Sequence, residues 1–181
     1  MTTIDPCALL ARLTNEFEAE WIEFKANNAN YEMIGQYVSG LANAAMLADR
    51  DRAYLVFGVE DETRAKIGTS IRLSTMKKGG ELFSNWLTRM IQPSLMIEFL
   101  DFECEGKRFA ILAIEPSYDR PVRFSGTEYV RVGESLKKLS DLPEHERALW
   151  LATGRRKFED AVAIPNRSED QVFQLLDTTT L

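Results

Sequence analysis

An α+β domain is the fold class this sequence predicts: a mixed sheet of about six strands with flanking helices. Two observations carry it. Stretches with apolar residues at helical spacing are interleaved with short runs rich in β-branched and aromatic residues. Those runs also take two forms, a nearly continuous apolar one at residues 53–59 and alternating ones at 96–103 and 108–115. The composition, 45% hydrophobic with 10% aromatic residues, is that of a chain able to bury a core rather than a disordered one.

The elements follow in order. Asp5 and Pro6 form an N-cap and first-turn pair that opens a short helix over residues 5–17. Trp21 to Lys25 reads as a strand in which Ile22 and Phe24 face the core, while Trp21, Glu23 and Lys25 share the outer face. Asn30 caps a helix from Tyr31 to about Leu47, with Ile34, Val38, Leu41, Ala42 and Ala45 at helical spacing. The run at 53–59 is a strand covered on both faces, stopping at Glu60-Asp-Glu62. A helix from about Ser74 to Ile91 places Leu82, Phe83, Trp86, Leu87 and Met90 on one face, and Pro93 ends it. The alternating runs form a hairpin turning at Glu105-Gly106, followed by short extended pieces at 122–124 and 128–132. Pro143 opens a last helix with Glu144 and Glu146 in its first turn. We divide the chain into a domain over residues 1–150 and a helical extension over 151–181, the expected start of a linker or second domain of a longer protein.

Several function classes are excluded early. The one histidine, His145, sits in a helix start, so Ser-His-Asp acyl chemistry lacks its base. There is no Gly-x-x-x-x-Gly-Lys-Ser/Thr loop and no Gly-x-Gly-x-x-Gly turn. Cys7 and Cys104 have neither disulfide-framework nor zinc spacing, which points to a reduced, cytoplasmic compartment. No apolar run approaches the roughly 20 residues needed to span a bilayer.

The net charge of −6 is unevenly distributed. Nine acidic residues oppose three basic ones between Glu18 and Glu62, whereas Arg120, Arg123, Arg131, Lys137 and Lys138 outnumber the acids between Asp119 and Lys138. The first region suits a metal and the second an anion; both are also consistent with solvated faces. Lys77 and Lys78, in Lys-Lys-Gly-Gly, are a weaker pair of phosphate contacts. Glu18, Glu23 and Glu60 or Asp61 would hold Mg²⁺ or Mn²⁺ if they converge, with Lys25 beside them to orient water or stabilise phosphate charge.

These residues fall into ordered motifs: Glu18-x4-Glu-Phe-Lys25, Tyr37-Val-Ser-Gly-Leu-Ala-Asn43, Tyr54-Leu-Val-Phe-Gly-Val-Glu-Asp61, Pro121-Val, and Glu128-Tyr-Val-Arg-Val-Gly133 with Lys138. Together, over Glu18 to Leu149, they resemble the Schlafen-type AlbA-like domain. The resemblance implies a mixed α/β domain described as DNA-binding and often placed at the front of larger bacterial proteins. It also implies, from the related RNA-cutting core of animal Schlafen proteins, a three-carboxylate metal site mapped onto Glu18, Glu23 and the Glu60-Asp61 pair, with Glu60 standing where the family has aspartate. Animal members pair two lobes around RNA and add a zinc site. This chain has one lobe and no zinc ligands, so a clamp would need a homodimer or another domain. Trp86, Met96 and Trp150 are the expected anchors of such a dimer. The readings are thus a module binding DNA or RNA by its phosphates, a metal-dependent nuclease, and a scaffold docking neighbouring domains.

Overall fold

The computed structural model describes residues 5–15 and 19–153, so Glu18 and the proposed extension from residue 154 onward lie outside it. Helix α1 (Pro6–Asn15) starts where Asp5 accepts a hydrogen bond from the Cys7 amide at 3.1 Å, the cap read from the sequence. Strand β1 (Ile22–Lys25) leads to α2 (Tyr31–Leu47), capped by the Asn30 side chain accepting from the Met33 amide at 3.0 Å. Strand β2 (Ala53–Phe57) is buried at every position and ends at Gly58, whose φ of +98° and close approach to Phe109 suit glycine.

The region expected as one long helix from Ser74 is instead a two-stranded ribbon, β3 (Lys77–Lys78) and β4 (Glu81–Leu82), followed by the shorter α3 (Phe83–Met90). Gly79 and Gly80 both adopt positive φ and form the ribbon's turn, which a helix could not accommodate. After β5 (Ile91–Gln92) comes the hairpin of β6 (Ile97–Cys104) and β7 (Lys107–Ile114), turning at Glu105-Gly106 as the alternation predicts. Short strands β8 (Arg123–Phe124), β9 (Thr127–Val132) and β10 (Ser135–Lys138) form a meander, and α4 (Pro143–Ala152) closes the described chain.

The fold is α+β, but its strands do not make one sheet of six. They form a four-stranded sheet in the order β1-β2-β7-β6, a second in the order β10-β9-β8-β5, and the β3-β4 ribbon. Only β1 and β2 run parallel, which makes the first sheet mixed. Helix α1 covers one face of that sheet, packing Leu9, Leu10 and Leu13 on Ile22, Phe24 and Val56. Helix α2 covers the other, where Ile34, Val38 and Leu41 meet Leu55, Phe57 and Leu112, with Phe124 of the second sheet in the same cluster. Both faces of β1 are therefore covered. The outer face predicted for Glu23 and Lys25 is an interior one.

Candidate functional site

Glu23 sits on the α2 side of β1, opposite Leu55 of β2, and is only 2% exposed. Its carboxylate lies between two cations. Lys25 Nζ donates to Oε1, and Arg131 Nε stands 2.8 Å from Oε2, a charge contact without an aligned hydrogen bond. Arg131 comes from the middle of β9 and is itself buried; its Nη1 donates to the carbonyls of Ala19 and Ile22, both at 2.8 Å. Arg131 thus pins the start of β1, the sheet edge, to the second sheet.

Tyr37 of α2 completes the cluster, its ring 4.9 Å below the Lys25 ammonium. Burial lowers the Lys25 pKa, but its hydrogen bond to Glu23 and the Glu23 charge outweigh this and leave it above the ordinary lysine value. Burial and then the Glu23 charge push the Tyr37 hydroxyl up. One carboxylate between two cations leaves an excess of positive charge. A divalent metal at Glu23 would have to displace Lys25 and Arg131, and among the described residues no three acidic, histidine or cysteine groups converge. The described residues therefore do not fit a Mg²⁺ or Mn²⁺ site.

The other acids of the predicted set stand in the turn after β2. Glu60 is exposed and accepts from the Thr63 hydroxyl, and Asp61 is exposed beside it. The parallel pairing places this turn at the same sheet end as Lys25, which pairs with Phe57. Glu18 lies outside the described residues.

The basic residues divide sharply. Arg131, expected on a phosphate-binding face, is withdrawn into the core as the partner of Glu23. Arg123 is half-buried and donates twice to Gln92 Oε1, at 3.0 and 2.7 Å. Arg120, Lys137 and Lys138 are exposed, and among the described residues none of the three has a carboxylate partner. Lys77 is exposed, whereas Lys78 pairs with Glu32 and lies 3.6 Å over the Trp86 ring. Of the expected dimer anchors, Trp86 belongs to the core at 7% exposure, while Met96 and Trp150 are exposed.

Ser39 and Asn43, quoted above only as motif letters, turn out to be the joint between α2 and the second sheet. Asn43 accepts from the Val122 amide and donates to the carbonyls of Val122 and Tyr129, at 2.7–2.8 Å. Ser39 Oγ donates to the Val122 carbonyl at 2.8 Å and accepts from the Tyr129 amide at 3.0 Å. Their signal was visible: two polar residues four apart on the apolar face of a helix require buried partners.

A mixed sheet backed by a helix that carries a second small sheet, with one glutamate held between a lysine and an arginine, defines an α+β domain of AlbA-like build. The family model described as Schlafen, AlbA_2 matches residues 18–140, and the chain belongs to that family. No curated protein matches it. Among solved structures, the chain is similar in fold to the DIP2311 protein from Corynebacterium diphtheriae, with a TM-score of 0.51 at 14% identity over 80% of this chain; it spans 28% of that protein's length. The N-terminal domain of a RecG-related protein from Nitrosomonas europaea aligns over 74% of this chain and 92% of its own, at 17% identity and a TM-score of 0.41.

Proposed function

We propose that this domain binds nucleic acid through its phosphate backbone, using the exposed Arg120, Lys137 and Lys138. The family, Schlafen AlbA_2, is one support. The observation that carries the reading is the contrast among the cations. Lys25, Arg52, Lys66, Lys78, Arg89, Arg108 and Arg131 each hold a carboxylate, whereas Arg120, Lys137 and Lys138, like the exposed Arg72, Lys77, Lys107 and Arg147, hold none among the described residues. In a chain of net charge −6, cations left unpaired are available for an anionic partner. Point charges on a strand edge and loop contact phosphate oxygens without reading bases, so the reading entails weak sequence preference.

Binding is favoured over cleavage by the state of Glu23. Its oxygens face Lys25 and Arg131, which makes it the counter-ion of a structural pair rather than a free metal ligand. Titration of the 181-residue chain with labelled single-stranded RNA and duplex DNA at low salt, with and without Mg²⁺, tests this. We expect saturable binding without strand scission in either condition. Absence of binding to both would overturn the reading, and Mg²⁺-dependent cutting abolished by Glu23→Gln would restore the nuclease alternative.

A further inference from the structure

The chain has two cysteines, and the fold joins them as a disulfide although one stands in the first turn of α1 and the other at the last position of β6. The function proposed above makes no use of the pair. Neither residue is sealed in the core: Cys7 and Cys104 are both partly exposed, Cys104 at the margin of the cluster between α1 and the first sheet. Cys7 is the second residue of α1, where free backbone N–H groups and the helix dipole favour a thiolate. A disulfide within reach of a small thiolate, and with one sulfur that leaves readily, is of the kind that exchanges.

What the bond holds is α1. This helix precedes residues 18–140, the part matched by the family model. It has ten residues, too few to persist as a helix on its own in water. Leu9, Leu10 and Leu13 seat it on Ile22, Phe24 and Val56, and Arg12 donates to the Tyr54 hydroxyl at 3.3 Å. The polypeptide ties the C-terminal end of α1 to β1 within a few residues, and the disulfide ties its N-terminal end to the β6–β7 hairpin. With both ends fixed, the helix gains little freedom by leaving the sheet. With one end fixed, leaving it releases the conformational entropy of the whole segment. The other face of the sheet is covered independently by α2.

We propose that Cys7 and Cys104 form a reversible thiol–disulfide site, exchanging with low-molecular-weight thiols of the glutathione class, whose redox state latches or releases α1. A thiolate attacks Cys104 Sγ, the bond between the cysteines breaks, and its electron pair leaves on Cys7 Sγ. This gives a mixed disulfide at Cys104 and a Cys7 thiolate that takes up a proton. A second thiolate attacks the small-molecule sulfur of the mixed disulfide and expels the Cys104 thiolate, so that two thiols are oxidised to one small disulfide as the protein disulfide is reduced. Released, α1 uncovers the apolar face at Ile22, Phe24 and Val56.

The test equilibrates the 181-residue chain with mixtures of reduced and oxidised glutathione, traps free thiols by alkylation for mass spectrometry, and follows hydrogen exchange on the same samples. We expect the two cysteines to pass together between bonded and free states while the sheet stays folded. In the reduced form the amides of residues 9–15 should exchange at least about tenfold faster, while β2 and β7 keep their protection. Cys104→Ser should show the fast exchange with or without reductant, and Cys7→Ser replaces it if that variant does not fold. A bond that glutathione opens only in urea would make the disulfide a permanent one. Equal protection of α1 in both redox states would show that nothing is latched, and loss of protection throughout the sheet would make reduction an unfolding event. Each of these results overturns the proposal, as does failure of the bond to form.

Discussion

A carboxylate taken out of water costs several kcal/mol unless charge and hydrogen bonds replace its hydration, and Glu23 has one hydrogen-bonded lysine and one arginine to do so. Arg131→Met removes the stronger-buried partner and also strands the carbonyls of Ala19 and Ile22. We expect a loss of about 3 kcal/mol, read from the urea midpoint; a change under about 0.5 kcal/mol would mean the pair is dispensable. The pH dependence has a definite sign. Lys25 and Tyr37 both have folded pKa values above their unfolded ones, so each contributes stability that is complete below about pH 10 and is lost as pH rises through the folded value. Unfolding midpoints between pH 8 and 11 should therefore fall more steeply for the natural chain than for Lys25→Met, and parallel curves would contradict the assignment.

The element that organises the molecule is α2, which lies between the sheets and is joined to the second by Asn43 and Ser39. Asn43→Ala would take a partner from the Val122 amide and the Tyr129 carbonyl and leave the Val122 carbonyl with Ser39 alone; we expect a cost of about 2–4 kcal/mol and loss of amide protection in β8 and β9 under hydrogen exchange. Gly35→Ala tests the same interface sterically, because an added Cβ would meet the Phe124 ring at 2.1 Å; about 1–3 kcal/mol is expected from overpacking. Undiminished stability in both variants would show that α2 and the meander do not pack as described. The helix was legible in its sequence down to its cap, since Asn30 and an apolar stripe are local signals. So was the hairpin at Glu105-Gly106. The surroundings of Glu23 were not, because Arg131 arrives from a strand 109 residues beyond Ile22, and alternation within β1 says only which residues share a face. The β3-β4 ribbon was missed for the reverse reason. Its apolar spacing continues into α3, and two adjacent glycines were the stronger signal.

At the scale of the whole molecule, two long-range features define how the chain holds together and what it presents. Cys7 and Cys104, expected to be free thiols, are paired as a disulfide with their Cα atoms 5.8 Å apart, which joins α1 to the end of β6 across 97 residues. Nothing local announced this pairing, since neither spacing nor neighbours single the two cysteines out. Closing a loop of that length is worth at most about 4–5 kcal/mol, so reduction, or Cys7→Ser, should lower the melting temperature without unfolding the sheet; an unchanged melting temperature would show that the bond does not form in solution. No helix among the described residues is long and apolar enough to cross a membrane.

The second feature is the set of exposed cations left without carboxylates among the described residues, of which Arg120, Lys137 and Lys138 lie in and beside the second sheet. Its most direct test is the salt dependence of binding to single-stranded RNA, compared between the natural chain and the triple variant Arg120→Ala, Lys137→Ala, Lys138→Ala. Each phosphate contact contributes about 0.7 to the slope of log K against log salt on a single strand, so removing three cations should flatten the slope by about 2 and weaken binding alike for all sequences. An unchanged slope, with affinity retained, would place the nucleic acid elsewhere and contradict the account.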